Sequence, residues 1–321
     1  MNNKNIGGFI EDDYKQQSHI DTFHDCLALT TGRACIAYII KHTNVSKIHV
    51  PYYICDSVLQ PIVDYNIDYS FYNLNSKLEI KKFPDLLHSN ELLLYVNYFG
   101  LKHKYIIKLE KKFSKQLIID NSQSFYQKKY ISCWSFNSAR KFFGVTDGAF
   151  IYQPKTITPN NYERAKYSTT YLIQKQLKND QIAYKEFLLH EKYLTHKIQL
   201  ISKYSLSILQ RIDYNITARI RLKNFNYLHK NLFSYNLLDV SFLNPQVPLY
   251  YPLLIKNRVR NKMISRGLFV PLLWKEVLTR DRSNYKWEKF LASNLVLLPI
   301  DQRYNTKDMD ILLNILMRLL K

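Results

Sequence analysis

Glycine is scarce in this chain, with seven residues in 321, and proline is little commoner at ten. That excludes collagen-like and glycine-rich low-complexity classes. Cysteine is scarcer still: Cys26, Cys35, Cys55 and Cys133 stand far apart and form no CxxC and no Cys/His ligand pair. A disulfide-stapled scaffold and a structural zinc site are thereby excluded; no metal is expected, and the four read as reduced thiols of a cytosolic protein. Long apolar runs are missing too. The longest, such as residues 92–96, have strand length, far short of the ~20 residues a membrane helix needs. Residues 1–14 are polar and acidic, without the apolar stretch of a secretion signal. No membrane span is expected, and the cytoplasm is the expected location.

Acidic residues are also few, 26 against 46 Lys and Arg, so the formal net charge is +20. Such a balance first suggests nucleic acid or an anionic surface. The positive charges, however, are spread along the whole chain. In their densest cluster, residues 102–115, the apolar residues Ile106, Ile107, Leu109 and Phe113 recur at helical spacing, which predicts an amphipathic helix with a solvated basic face. Zinc-finger, basic-zipper and RNP-type motifs are lacking, and nucleic acid is not an expected partner. What the chain does have is 46% hydrophobic and 14% aromatic residues, enough to bury a core and exclude disorder.

The first half alternates strand and helix signals. Residues 35–40 form an apolar helix after Thr30-Thr31-Gly32, and residues 47–50 a strand stopped by Pro51. A helix over 56–63 has Asp56 as its N-cap, and strands follow at 68–72, 92–97, 116–120, 130–136 and 148–152. This alternation predicts an α/β fold with a mostly parallel sheet covered by helices on both faces. After Pro154 and Pro159 the stretch 162–233 has no Gly or Pro and reads as long and helical. From Asn244 strand signals return at 248–256, 268–271 and 295–299, with helices at 259–266 and 306–320. The expected organisation is a large cofactor-binding α/β domain (1–160), a helical connection and dimer-contact region (161–235), and a small α+β C-terminal domain (236–321).

In a doubly wound sheet, ligands bind beyond the carboxyl ends of the strands. Three such ends carry unusual residues. Thr30-Thr31-Gly32-Arg33-Ala34 opens a helix whose free amides and dipole favour an anion, with the Thr hydroxyls and the Arg33 guanidinium as added contacts. Leu117-Ile118-Ile119-Asp120 is an apolar strand that ends in a carboxylate. Lys141 follows a strand closely, beside Ser138, Arg140, Phe142 and Phe143, and a lysine so placed suits covalent chemistry with a carbonyl. Each piece alone also reads as an ordinary cap, a turn or a surface lysine. Together, as anion cup, carboxylate and lysine, they are the set that pyridoxal phosphate requires. Arg33, Arg140 and Arg303 are candidates to line a cleft that attracts phosphorylated ligands.

With these residues in that order, the sequence resembles the DegT/DnrJ/EryC1/StrS sugar aminotransferases, a group of fold-type I pyridoxal-phosphate enzymes, as a divergent and slightly short member. Gly7-Gly8-Phe9 is similar to the family's opening segment, and Thr31-Gly32-Arg33-Ala34 to its phosphate turn. Ile119-Asp120-Asn121-Ser122-Gln123 is similar to its Asp-Ala-Ala-Gln/His segment, and Ser135-Phe136 to Lys141 with Asp147-Gly148-Ala149 to its lysine run. Ile201-Ser202 to Asp213, Arg219 and Asn224, and later Gly267 to Pro271 and Leu298-Pro299, continue the likeness.

The resemblance implies that Lys141 holds the cofactor covalently and shuttles a proton, and that Asp120 keeps the pyridine nitrogen protonated. It implies that Thr31, Gly32 and Arg33, with Ser135 or Ser138, bind the phosphate, that Gln123 lies near the ring oxygen, and that Tyr53 or Tyr52 stacks on the ring. It further implies an amino transfer from glutamate to a keto-sugar, nucleotide-linked, in surface polysaccharide biosynthesis, and a homodimer. Two departures stand out: Arg140 lengthens the interval before Lys141, and His196-Lys197-Ile198-Gln199-Leu200 replaces the family's Asn-bearing run before Ser202. Another reaction on the same cofactor, such as a dehydration or an amino-acid-directed step, and a non-catalytic basic binding protein are the alternatives.

Overall fold

The computed structural model describes residues 5–11, 25–127, 130–154, 161–240, 246–280 and 283–320. The landmarks Pro159 and Asn244 and the boundary at 160 lie outside them. In chain order the elements are β1 (Ile6–Gly7), β2 (Leu27–Leu29), α1 (Gly32–Lys41), β3 (Lys47–Pro51), α2 (Asp56–Asp64), β4 (Asp68–Tyr72), β5 (Glu91–Val96), α3 (His103–Phe113), β6 (Leu117–Asn121), β7 (Trp134–Asn137) and β8 (Ala149–Tyr152). Then come α4 (Thr170–Gln176), α5 (Asp180–Tyr193), α6 (Lys203–Leu209), α7 (Tyr214–Leu232), β9 (Tyr250–Leu254), α8 (Arg260–Ile264), β10 (Leu268–Phe269), α9 (Glu276–Thr279), α10 (Lys286–Asn294), β11 (Leu295–Pro299) and α11 (Thr306–Leu320).

Seven strands form one sheet in the order β2-β8-β7-β6-β5-β3-β4. β8 runs antiparallel to both of its neighbours, and every other pair is parallel. The α/β architecture expected from the sequence is present. β5 and β6 are apolar almost throughout and buried along their length, as strands covered on both faces must be. α3 buries Ile106, Leu109 and Phe113 and turns its lysines outward.

Three local expectations are corrected. The expected strand 130–136 pairs only over Trp134–Asn137, because the buried Glu110 of α3 draws Ser132 off the ladder, accepting its N–H at 2.8 Å and its hydroxyl at 3.2 Å. The cap of α2 is Cys55, whose sulfur accepts the Ser57 N–H at 3.4 Å; Asp56 is the first helical residue. The stretch 162–233 breaks into α4, α5, α6 and α7. Between α5 and α6 the chain is extended and runs beside the sheet-edge strand β2: Thr30 donates to the Gln199 carbonyl, Ile201 donates to that of Ala28, and Leu200 bridges Leu29 and Arg164. The edge strand's open backbone is satisfied by this segment in place of helix continuation.

β9 and β11 pair antiparallel, from Leu254 opposite Leu295 to Tyr250 opposite Pro299, and α8, α10 and α11 belong to the same C-terminal region. β1 joins that region, pairing parallel with β10. The segment around Gly7-Gly8-Phe9 is thus a strap: Tyr304 and Arg303 hold its backbone, and Phe9 stacks on Phe187 of α5 at 4.9 Å. One contiguous apolar core runs from the sheet into β9, β11 and α11. A second, aromatic core of Phe125, Phe142, Phe143, Phe150, Ile201 and Leu209 lies under the residues around Lys141.

Candidate functional site

The sheet brings Asp120 and Lys141 together. Asp120 lies at the carboxyl end of β6, in register with Val96 of β5 and Phe136 of β7. β7 then leads through Ser138, still extended, into a single turn of 3-10 helix over Ala139–Lys141. Asp120 is buried, whereas Lys141 is exposed on a bed of buried aromatics. Ser122 links them: its N–H donates to Asp120 Oδ1 at 2.8 Å, and its hydroxyl accepts from Lys141 Nζ at 3.0 Å. Burial pushes the Asp120 carboxyl above its usual range, while the Lys141 charge and the Ser122 hydrogen bonds act against that shift.

Arg140, the residue that lengthens the interval before Lys141, points elsewhere, to a salt bridge with Glu191 of α5. The two adjacent cations are thereby separated, and only Lys141 reaches Ser122.

The candidate anion cup lies at the N-terminus of α1. Thr31 caps this helix, its hydroxyl accepting the Ala34 N–H at 3.0 Å and donating to the Thr195 carbonyl at 3.0 Å. That hydroxyl is committed within the protein, which leaves the backbone amides of Gly32 and Arg33 as the candidate donors to an anion here. The Arg33 side chain turns instead to Gln60 of α2, at 3.2 Å. A Cβ on Gly32 would stand 3.1 Å from the Phe136 ring, which places Phe136 on the α1 face of β7. Side chains alternate along a strand, so Ser138 shares that face, while Ser135 lies on the other, where its hydroxyl is buried with no partner among the described residues.

Backbone hydrogen bonds tie cup and lysine turn together: Gly148 donates to the Thr30 carbonyl at 2.7 Å, and Ala139 donates to that of Gly148 at 2.9 Å. Gly148 has φ +129, and a Cβ there would stand 3.0 Å from Ile201. Glycine is therefore required at this junction.

Gln123 is fully buried. Its Oε1 accepts the N–H of Phe99 at 2.6 Å, while its Nε2 is a buried donor with no partner among the described residues. Phe99 itself is held at φ +58, a strained setting for a bulky residue. Tyr53 lies in an aromatic stack, 5.9 Å from Tyr98 and 4.6 Å edge-on from Trp274. Its buried hydroxyl has no partner among the described residues. Tyr52 stacks on Tyr285 and donates to the Arg280 carbonyl, which turns it towards the C-terminal region.

Of the cleft arginines, Arg303 is no cleft residue: it pairs with Asp301 and Glu11 and with the Gly8 and Phe9 carbonyls of the strap. No group of three or more His, Cys, Asp or Glu side chains suited to a metal occurs among the described residues.

Sequence reasoning missed several residues that hold this geometry. The fully buried Asp147 accepts from Ser202 N at 2.7 Å, and from the Ser202 and Ser205 hydroxyls, each at 2.6 Å, which anchors the turn that carries Gly148. Arg221 and Gln302 both donate to the Phe142 carbonyl, next to Lys141. The only sequence signal of Asp147 is its place in the Asp-Gly-Ala run; Arg221 and Gln302 carry none.

The donor set fits pyridoxal phosphate. A buried carboxylate, a reachable lysine amine, an unpaired amide donor and a capped helix N-terminus with no acidic residue in its first turn meet at one sheet edge.

No sequence-family description matches the chain, and no curated protein matches it. Solved structures do resemble its fold. A DegT DnrJ EryC1 StrS aminotransferase from Brucella abortus superposes with a TM-score of 0.61 at 12% identity, over 91% of this chain and 85% of that one. An aminotransferase involved in the biosynthesis of pseudoaminic acid from Helicobacter pylori gives 0.64 at 12%, over 92% and 86%. A GDP-4-keto-6-deoxy-D-mannose-3-dehydratase from E. coli, with bound hydrated pyridoxal phosphate, gives 0.62 at 14%, over 90% and 87%. The chain therefore has the fold of the pyridoxal-phosphate aminotransferases.

Proposed function

We propose that this chain is a pyridoxal-phosphate-dependent aminotransferase that takes its amino group from glutamate and gives it to a keto-sugar, nucleotide-linked, for surface polysaccharide synthesis in the cytoplasm. The observation that carries this reading is the Lys141–Ser122–Asp120 chain of hydrogen bonds at the carboxyl edge of a sheet of this fold.

In this reading the cofactor, when bound, supplies an electron sink for charge developing at the substrate carbon that bears nitrogen. Asp120 holds a proton on the pyridine nitrogen. That positive partner would offset the burial cost its carboxylate carries alone. The Gly32 and Arg33 amides and the Ser138 hydroxyl hold the phosphate, with the α1 dipole favouring the anion. Gln123 Nε2 donates to the ring oxygen. Ser122 orients Lys141 Nζ, and that amine moves the proton at the substrate carbon.

We also propose a homodimer formed through the α4–α5 hairpin. Ile173, Leu177, Ile182, Leu188 and Tyr193 are exposed there, and such a concentration of apolar surface marks a contact face. The hairpin adjoins the site through Glu191 and Thr195, so a partner seated on it would border the cofactor.

The test is spectroscopic. The purified protein with added pyridoxal phosphate should gain a visible absorption band that borohydride fixes to Lys141, and glutamate should then release 2-oxoglutarate. Attachment in a Lys141→Ala protein would sink the lysine assignment. Attachment without 2-oxoglutarate release would favour a dehydratase, the reaction of one structural neighbour. Salt-dependent nucleic-acid binding with no cofactor band would favour the basic binding protein.

A further inference from the structure

Lys141 lies between two anchored neighbours. Arg140 is paired with Glu191, and Phe142 is held at both ends of its backbone. The Phe142 N–H donates to the Ala139 carbonyl at 2.9 Å. Its carbonyl accepts from two side chains of distant sequence, Arg221 Nη2 at 3.2 Å and Gln302 Nε2 at 2.9 Å.

Arg221 is fully buried in α7 and spends its fork on this neighbourhood. Nε donates to Gln302 Oε1 at 3.0 Å, Nη1 donates to the Leu249 carbonyl at 3.2 Å, and the guanidinium lies 4.6 Å from the centre of the Phe142 ring. Gln302 follows β11 and Leu249 precedes β9, so both belong to the C-terminal region.

A buried charge is a costly way to fill space; an apolar side chain of similar volume packs as well or better. A planar fork, by contrast, fixes several acceptors in one geometry. What Arg221 fixes is the Phe142–Phe143 peptide, one residue beyond Lys141, from a helix and from the C-terminal region at once.

We propose that Arg221, with Gln302, is a positioning residue for Lys141: the clamp on the Phe142 carbonyl holds the lysine turn in register with Ser122 and Asp120 and ties it to the C-terminal region. The inference rests on the proposed function for what the lysine does, and on the hydrogen bonds alone for where it is held.

The test compares wild-type, Arg221→Met, Arg221→Lys and Gln302→Leu proteins by two independent measurements. The first is reductive methylation of the cofactor-free protein, followed by mass spectrometry, with the Lys141 rate normalised to that of the distant α7 residue Lys230. The second is the rate at which added pyridoxal phosphate becomes fixed to Lys141. Displacement of a reacting group by about 1 Å costs on the order of a hundredfold. Arg221→Met should therefore slow cofactor fixation on that order and change the normalised Lys141 labelling several-fold. Millimolar methylguanidinium should restore part of both losses in an Arg221→Ala protein, and Gln302→Leu should show a smaller loss of the same kind.

A folded Arg221→Met protein with wild-type Lys141 labelling and fixation would overturn the clamp. If Arg221→Met does not fold, Gln302→Leu decides: unchanged labelling and fixation there overturn it equally. If the wild-type protein fixes no cofactor while Lys141 labelling still responds to Arg221, the functional reading fails and the clamp stands.

Discussion

Replacing Asp120 by Asn should stabilise the cofactor-free protein while removing its use for the cofactor. The carboxyl is buried at the end of β6 and accepts one N–H, from Ser122, that an Asn oxygen can accept equally. Asn is nearly isosteric, so packing is kept and only the charge is lost. Burial raises the Asp120 carboxyl above its usual range, with Lys141 and Ser122 opposing. The sign follows from linkage. A carboxyl raised on folding binds its proton more tightly in the native state, so its contribution to stability is best at low pH. That contribution falls as pH rises from the ordinary carboxylate range through the raised value, and stays low above it.

Each tenfold preference for the proton corresponds to about 1.4 kcal/mol. The attraction between Lys141 and the carboxylate is lost in the variant as well, but that side chain is exposed and its attraction is screened. A variant more stable than wild type at neutral pH follows, and each kcal/mol of gain raises the midpoint by roughly 2 °C for a chain of this size. Thermal melts of cofactor-free wild-type and Asp120→Asn proteins should diverge as pH rises from 5 to 8, with the variant higher. Equilibrium dialysis should show much weaker pyridoxal phosphate binding by the variant. A variant less stable than wild type, with a gap that does not change with pH, would refute the reasoning, since Asp120 would then be a structural anion.

Other outcomes follow from the same structure. Gly148→Ala forces a side chain into a positive-φ position 3.0 Å from Ile201 and should cost about 2 kcal/mol in chemical denaturation. Burial pushes the Asp301 carboxyl up, but Arg303 and Arg221 hold it below the usual range. Its stabilising effect is therefore present above the ordinary carboxylate range and is lost as pH falls through the depressed value. Arg303→Met leaves that buried carboxylate without its main partner and should cost about 3 kcal/mol, with faster proteolysis of the strap around Phe9. Leu188→Glu on the α4–α5 face should yield a monomer by light scattering where the wild-type protein gives a dimer.

The order of helix cap, buried carboxylate and lysine turn was legible in the chain because each is a local event: a capped helix, an apolar strand ending in Asp, a lysine just after a strand. β5, β6, β11 and α11 were legible for the same reason, since apolar runs and helical periodicity are written in consecutive residues. The break after α5 was not, because no Gly or Pro marks it. It exists only because residues 199–201 satisfy the open edge of β2. Nor could the sequence choose between Ser135 and Ser138. That choice depends on which face of β7 meets α1.

By itself the sequence determined the α/β class, the strands that lead to Asp120 and Lys141, and the type of chemistry such residues suit. The tertiary structure alone decided that Ser122 links Lys141 to the buried carboxylate, that Ser138 lies on the α1 face, and that Arg303 serves a strap. It also brought Arg221 and Gln302, 79 and 160 residues from Phe142, to the carbonyl of the residue after the lysine. The physical reason is that a side chain's partner across such separations is set by how layers pack, which no local pattern of residues encodes.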